Sequence, residues 1–271
     1  MRAKRTLVAT LALLLVFVAV PTAVGAGRAL VIGGSTSVLP LMQKLAAAYH
    51  KQYKRIPEPK VSGGQSDIGV AGAASGRFDI GDSSRDPLST DPPGLVFTKI
   101  ARDGICVITN DKNPVPNLSQ QTIQGIYSGS IRNWSEVPGA TATGPIDLFQ
   151  RDGASGTQDA FQNIIMGISL RISPSASQEA SNGLEQSAVA GDENGIGFVS
   201  FAYTAGVHAV DYQGVACNLR NARSGQYGAV RNFWMVTKGV PKGEAAKFID
   251  WVTSGNSITK KIISSSWIAI H

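Results

Sequence analysis

Residues 28–53 read RALVIGGSTSVLPLMQKLAAAYHKQY, and this stretch decides the fold. Its first part is a short apolar run that ends in Gly33 and Gly34, and its second part carries apolar residues at helical spacing. The pattern predicts a strand, a glycine turn and a helix. A strand that passes through a short turn into a helix is the repeating unit of α/β proteins.

Other stretches of the chain repeat this unit. Residues 62–76 and 145–167 again predict a small-residue or polar turn followed by a helix, and residues 95–110 predict two strands. Two amphipathic patterns separated by Gly255 predict two helices near the C-terminus. We therefore expect an α/β protein with mainly parallel sheets and ligand sites at the carboxyl ends of strands.

Residues 1–26 differ from the rest of the chain. Three basic residues precede the apolar run Leu7–Val20, and small residues follow Pro21, which is the pattern of a cleaved signal peptide. The alternative is a membrane anchor, but this run is shorter than the roughly 20 residues that a membrane span needs. No cysteine lies near the cleavage point to carry a lipid. We expect an exported, soluble periplasmic protein.

The composition after cleavage excludes several classes. Three of the 25 Lys and Arg lie in residues 1–26, so the remainder has 22 against 19 Asp and Glu, a net charge of +3. The basic residues are scattered, which argues against a nucleic-acid partner. No His, Cys or acidic cluster has metal-ligand spacing, and we expect no cofactor. Cys106 and Cys217 are either disulfide-bonded or buried free thiols, and the sequence leaves both possibilities open.

Three turns rich in glycine and hydroxyl residues precede predicted helices, at residues 33–37, 63–67 and 152–157. A helix start exposes unpaired N–H groups and the positive end of the helix dipole, which together favour an anion. One such turn is ordinary capping. Three of them, with Arg151 directly before the third, predict a site for a tetrahedral oxyanion.

A fourth turn, DIGDSSRD at residues 79–86, carries acids as well as hydroxyls. A carboxylate there can accept the proton of hydrogen phosphate, which sulfate lacks. Such a group would discriminate between the two anions by repulsion.

Six stretches, in this order, resemble the periplasmic phosphate-binding proteins that feed ABC importers (the PstS type), and the resemblance extends from about Leu30 to the C-terminus. The stretches are GGSTSVLPLMQKLAAAY (33–49), DIGDSSRDP (79–87), DGICVITNDKNPVPNLSQQTIQGIYSGSIRNWSEV (103–137), RDGASGT (151–157), GIGFVSFAY (195–203) and AAKFIDWV (245–252).

The resemblance implies a type II periplasmic-binding-protein-like fold, in which two α/β lobes joined by crossover strands enclose the ligand. Lobe I would comprise residues 27–102 plus 227–271, and lobe II residues 103–226, with hinges near 103–109 and 220–230. It also implies a monomer that binds inorganic phosphate, closes around it and presents it to an ABC permease in the inner membrane.

The resemblance also implies a set of phosphate-binding residues. Ser84 belongs to this set but stands where the best-known family pattern has the proton-accepting aspartate, so strict selectivity over sulfate does not follow. Asp82 and Asp152 are the candidates for proton acceptor or site support, and we expect Asp152 to hold Arg151 in place. The implied ligand residues are Thr36, Ser37, Ser66, Ser84, Arg151, Ser155, Gly156 and Thr157.

Two alternatives to phosphate capture remain from the residues. The first keeps the fold and changes the ligand or role: a binder of sulfate, molybdate or tungstate, or an exported anion sensor. The second is a serine hydrolase using Ser155, but Thr157 replaces the last glycine of the Gly-x-Ser-x-Gly elbow and no histidine lies in a recognisable motif. We therefore predict a binding protein without catalytic residues, and not an enzyme.

Overall fold

The structure is a computed structural model that describes residues 27–270, so the predicted signal peptide lies outside the described residues. Strands and helices alternate along the described chain. The strands are β1 Val31–Ser35, β2 Lys60–Gly64, β3 Ile80–Ser83, β4 Leu95–Thr109, β5 Asn117–Leu118, β6 Asp147–Arg151, β7 Ser177–Glu179, β8 Gly195–Ser200, β9 His208–Ala209, β10 Asp211–Tyr212 and β11 Val230–Lys238. The α-helices are α1 Leu39–Gln52, α2 Ser66–Ser75, α3 Gln120–Ser128, α4 Gly156–Phe161, α5 Asn182–Gly191, α6 Leu219–Arg223, α7 Gly243–Thr253 and α8 Ser257–Ser266.

The main sheet has the strand order β2-β1-β3-β11-β4-β8-β6-β7. Its two ends are parallel, because β1 pairs with β2 and β3 in the same direction, and β6 does so with β7 and β8. In the middle, β11 runs antiparallel to β3 and β4, and β4 runs antiparallel to β8. The expectation of mainly parallel sheets is therefore correct only for the two ends.

The middle of the sheet also corrects the prediction of two strands in residues 95–110, because the structure has one strand, β4, over this stretch. Its first part pairs with β11 and its last part with β8. Asp103 lies where a break would fall, but it is fully buried and directly opposite Arg231 of β11. Because Asp103 pairs with Arg231 on the neighbouring strand, its charge does not interrupt β4.

Two large hydrophobic cores lie along this sheet. The first contains residues of β1, α1, α7 and α8, and the second contains residues of α3, α4 and β8. On β4 the cores divide between Ala101, in the first, and Ile105, in the second. Two bodies of packed side chains are thus connected by β4 and β11, and the ends of the two parallel sheet halves face each other between them.

Cys106 of β4 forms a disulfide with Cys217, which lies just before α6. The two residues are 111 positions apart, with their Cα atoms 5.7 Å from each other. The structure thereby decides between the two possibilities that the sequence left open. A cross-link that closes so long a loop restricts the unfolded chain strongly.

Between residues 27 and 270, no helix combines the length and the apolar character that crossing a membrane requires.

Candidate functional site

Hydroxyl groups gather where β1 and β3 end and α2 begins. Ser84, directly after β3, donates its backbone N–H to Ser66 Oγ over 3.0 Å, and its own Oγ accepts from Ser35 Oγ at 2.8 Å. Ser66, Ser84 and Ser37 are all fully buried. The carboxyl ends of neighbouring parallel strands lie at one edge of a sheet, which is why residues up to 49 positions apart meet here.

The facing side of the site comes from the turn between β6 and α4. Ser155 is the N-cap of α4, and its Oγ accepts from the backbone N–H groups of Thr157 and Gln158 at 3.2 and 3.4 Å. Thr157 Oγ1 lies 3.0 Å from Ser37 Oγ, across the boundary between the two cores. Ser155 therefore uses its lone pairs for the cap, and its hydroxyl proton remains available for a ligand.

Gly156, the first residue of α4, lies close against the opposite side of the site. A Cβ atom added there would lie 2.3 Å from Ser66 Oγ, 2.7 Å from Ser84 Oγ and 2.8 Å from the backbone nitrogen of Arg85. Its φ is not in the left-handed region, so the need for glycine is one of space. The predicted residues Ser37, Ser66, Ser84, Gly156 and Thr157 are thus brought together.

Arg151 ends β6 and is almost completely buried. Its Nε donates to the Glu179 carbonyl at 2.8 Å and its Nη2 to the Ala180 carbonyl at 2.9 Å, whereas Nη1 finds no hydrogen-bond partner within residues 27–270. Burial lowers the pKa of Arg151, while the carboxyl group of Glu185 raises it. The guanidinium is therefore held by two carbonyls and keeps N–H groups for a further acceptor.

Asp152 does not hold Arg151 in the predicted way. Its carboxylate accepts instead from the backbone N–H of Ala154 and from the side-chain amide of Gln65. Gln65 lies just before α2, so this contact connects the two sides of the site. Asp152 supports the turn and contacts the opposite side through Gln65, and the carbonyls of Glu179 and Ala180 hold Arg151 instead.

Glu185 of α5 is the nearest carboxyl group to Arg151, with Oε2 3.9 Å from Nε. The residue is fully buried, Oε1 accepts from the Phe198 N–H at 2.9 Å, and Oε2 has no hydrogen-bond partner in the described chain. Burial raises the pKa of Glu185 to about 8, although the Phe198 N–H and Arg151 oppose the shift. At neutral pH this group is mostly protonated, and Arg151 retains its positive charge without a full counter-charge.

Asp82 lies on β3 with its side chain fully buried. It packs toward Gly34 and Gly69, and neither carboxyl oxygen has a hydrogen-bond partner in residues 27–270. Burial raises the pKa of Asp82 well above its ordinary value. Burial thus disfavours the charged form of Asp82, and no hydroxyl of the site bonds to its carboxyl group within residues 27–270.

A second buried cation, Arg231 of β11, lies at the centre of the site. Its Nη2 donates to Ser37 Oγ and its Nη1 to Thr157 Oγ1, both over 2.8 Å. Asp103 Oδ2 accepts from Nε at 3.2 Å and from Nη2 at 3.0 Å. Burial lowers the pKa of Arg231 and raises that of Asp103, and each partner opposes the shift of the other.

Asn182, at the start of α5, and Tyr203 complete the contacts between the two sides. The Asn182 amide donates to Thr36 Oγ1 and to Ser37 Oγ at 2.9 Å each, and its own oxygen accepts from the Ser200 N–H. The Tyr203 hydroxyl donates to the Thr36 carbonyl at 2.8 Å. Thr36 therefore lies at the site but its hydroxyl oxygen is already engaged by Asn182.

Sequence reasoning missed Arg231, Asp103, Asn182 and Glu185. Arg231 and Asp103 did carry a signal, because each alternates with apolar residues of its strand, Arg231 two positions before Phe233 and Asp103 midway between Ala101 and Ile105. Their pairing depends on the register of strands that are far apart in the sequence. Asn182 and Glu185 follow a common capping serine and belong to no motif.

Comparisons with known proteins show what this chain is similar to. A family model described as a PBP superfamily domain matches residues 20–256. The phosphate-binding protein PstS of Bacillus subtilis is 28% identical over 246 residues, which cover 88% of this chain and 79% of that protein. The phosphate-binding protein PstS 2 of Streptococcus agalactiae is 38% identical over 108 residues, and this match spans 40% of the chain but only 36% of the length of that relative.

Among solved structures, a phosphate ABC transporter substrate-binding protein from Clostridium perfringens, crystallised with bound phosphate, superposes with a TM-score of 0.84. The two chains are 33% identical, and the superposition covers 90% of this chain and 100% of the other. The family model covers most of the sequence. The chain therefore belongs to the PBP superfamily, with the two-lobed α/β fold predicted from the sequence, and within it to the family of phosphate-binding proteins of ABC transporters.

Proposed function

We propose that this protein captures inorganic phosphate between its two lobes and delivers it to an ABC-type importer. The observation that carries the proposal is the convergence of buried donors from both sides on one place. Hydroxyls of Ser37, Ser66 and Ser84 face Thr157 and the start of α4, and the strand directly before this turn ends in the buried Arg151.

These groups suit a tetrahedral oxyanion. Serine and threonine hydroxyls donate without adding charge, and Arg151 supplies positive charge in a setting of low dielectric. Three of its five N–H groups are not used by the carbonyls that hold it. Donors that are held in place before binding reduce the ordering cost of capturing the ligand.

The relatives support phosphate over other anions. The C. perfringens protein was solved with phosphate, and the B. subtilis and S. agalactiae relatives are named as phosphate-binding proteins. Sulfate, molybdate and tungstate remain the alternatives to be tested, because Ser84 Oγ is an acceptor of the Ser35 hydroxyl and carries no charge. A role as an anion sensor keeps the same site.

A serine hydrolase fits less well. The lone pairs of Ser155 Oγ are engaged by the helix cap. His50 and His208, the histidines of the described chain, bond through their rings to the carbonyls of Ile56 and Val115, away from Ser155. The named relatives are binding proteins, which supports the prediction that this chain is not an enzyme.

The proposal includes closure about the connecting strands β4 and β11. Lobe I would be residues 27–102 plus 227–271 and lobe II residues 103–226, with hinges near 103–109 and 220–230. The contacts of Asn182 and Tyr203 with Thr36, and of Ser37 with Thr157, would then hold the closed form. The ligand drives closure only by its higher affinity for the closed state.

We further propose export by the signal peptide 1–26, a monomeric state in the periplasm, and a membrane permease as the partner.

The direct test is phosphate titration of an Arg151→Ala variant by calorimetry. Hydrogen bonds to charged groups contribute about 1.5–3 kcal/mol. Loss of at least about 2 kcal/mol corresponds to a Kd about 30-fold higher. Because Glu185 is largely protonated, the variant does not leave an isolated buried carboxylate, and its circular dichroism should match the wild type.

Arg220→Ala is the matched control, since Arg220 is exposed on α6 and its replacement removes the same charge. The control should bind phosphate as the wild type does. Equal phosphate affinity of a folded Arg151→Ala variant and the wild type would refute the site assignment, and absence of phosphate binding by the wild type would refute the function.

A further inference from the structure

Arg231 and Asp103 form a buried pair between the two strands that connect the cores. They are directly opposite in the register of β11 and β4, and both are at least nine-tenths buried. Asp103 Oδ2 accepts from Nε and Nη2 of Arg231 at 3.2 and 3.0 Å. The strand register therefore fixes the direction in which the guanidinium points.

The outer edge of the guanidinium points at the predicted ligand hydroxyls. Nη2 reaches Ser37 Oγ from one side and Nη1 reaches Thr157 Oγ1 from the other, at 2.8 Å each. A guanidinium has five N–H groups, and these contacts with those to Asp103 use four of them. One N–H of Nη1 is not used by these four contacts.

Arg231 is also reachable from solvent. A cavity of about 250 Å³ has Arg231 and Ser84 among its lining residues, together with Asp86, Asp159 and Asn232. An anion that enters along this cavity meets Arg231 and Ser84.

We propose that Arg231 binds the captured anion directly, as a second arginine of the site, and that Asp103 orients it and cancels its charge. This inference rests on the proposed function. The pair supplies charge-assisted N–H donors to the ligand while adding no net charge to the cleft. Arg151 then remains the source of net positive charge, since Glu185 beside it is mostly protonated.

The charge balance has a consequence for selectivity. Without the charge of Asp103 the cleft would be more positive by about one unit, and this would favour doubly charged anions such as sulfate over singly charged dihydrogen phosphate. In this protein Ser84 carries no charge that could repel sulfate. Asp103 therefore limits sulfate binding from behind Arg231, without touching the ligand.

The test of the direct contact is calorimetric titration of inorganic phosphate into Arg231→Gln and Arg231→Lys variants. Arg231→Gln should raise the phosphate Kd at least about tenfold, the lower range for a hydrogen bond to a charged group. Arg231→Lys keeps the charge but not the planar fork, and should recover only part of the affinity. Lys238→Gln is the control, because Lys238 is exposed at the end of the same strand and its replacement removes the same charge.

Asp103→Asn tests the charge balance. In mildly acidic buffer, where phosphate carries mostly one negative charge and sulfate two, this variant should bind sulfate several-fold better relative to phosphate than the wild type does. A general loss of structure would weaken both anions alike. An unchanged or reversed ratio of the two Kd values would overturn the assigned role of Asp103.

Arg231→Gln leaves Asp103 buried without its partner, so the double variant Arg231→Gln/Asp103→Asn is included in case the single variant does not fold. Phosphate binding by either folded variant with the wild-type Kd would overturn the inference and leave the proposed function intact. A similar loss in Lys238→Gln would attribute the effect to overall charge and also overturn it. A wild type that binds no phosphate overturns both proposals, which separates the two failures.

Discussion

The substitution Gly156→Ala adds one methyl group where α4 lies close against the opposite side of the site. The new Cβ would lie 2.3 Å from Ser66 Oγ, 2.7 Å from Ser84 Oγ and 2.8 Å from the Arg85 backbone nitrogen. The two hydroxyls are fully buried and bonded to their neighbours, and the third atom belongs to the main chain. None of the three can move away freely.

If the protein closes as proposed, the cost of this methyl group falls on the closed form. An extra methylene in a packed interior costs about 1–3 kcal/mol. If the two sides separate in the open form, the open form bears none of that cost, and alanine is a better helix former there than glycine. The difference weakens ligand-driven closure, and the phosphate Kd should rise about 5- to 150-fold while the thermal stability of the ligand-free protein is kept.

Calorimetry with phosphate measures the change in Kd, and small-angle scattering with and without phosphate measures closure. Gly153→Ala is the matched control, because a Cβ at this position in the same turn meets no atom within 4 Å. It should bind and close as the wild type does. Wild-type affinity in Gly156→Ala would contradict the account of the cleft as a site that closes by direct contact of α4 with Ser66 and Ser84.

Two further predictions concern stability. Replacing Cys106 and Cys217 together by serine opens a cross-link between residues 111 positions apart, which should lower the free energy of unfolding by up to about 5 kcal/mol and the Tm clearly in a calorimetric scan; an unchanged Tm would contradict the bond. Glu185 has a pKa of about 8 in the folded protein against an ordinary value of 4.5, so the folded state holds a proton that the unfolded chain releases, and stability falls as the pH rises between these values. Glu185→Gln should remove this part of the pH dependence of the free energy of unfolding, which amounts to a few kcal/mol at about 1.4 kcal/mol per pKa unit. Urea titrations that give parallel pH profiles of stability for the variant and the wild type would refute this prediction.

Local patterns in the sequence were sufficient for the elements and for most of the hydroxyls. The apolar runs and glycine turns predicted β1, α1 and the helices α7 and α8 on either side of Gly255. Ser155 was expected at a helix start and is the N-cap of α4. These features depend on residues within one or two turns of each other, and such short-range physics can be read directly from the chain.

The parts that were missed depend on pairing between distant segments. The central antiparallel strands place Arg231 opposite Asp103, and no short-range pattern specifies that register. The partner of Arg151 was expected next to it in the sequence, but the carbonyls of Glu179 and Ala180, brought close by the pairing of β6 with β7, hold it instead. The disulfide was left open for the same reason, because Cys217 is more than 100 residues away from Cys106 in the sequence.

The central claim is that the buried donors on the two sides of the cleft bind inorganic phosphate. Calorimetric titration of the mature wild-type protein with phosphate, sulfate, arsenate, molybdate and tungstate tests it most directly. The account predicts saturable binding of phosphate at one site per chain, with the other anions weaker, as the named relatives suggest. Absence of heat with phosphate, or tighter binding of one of the other anions, would contradict it.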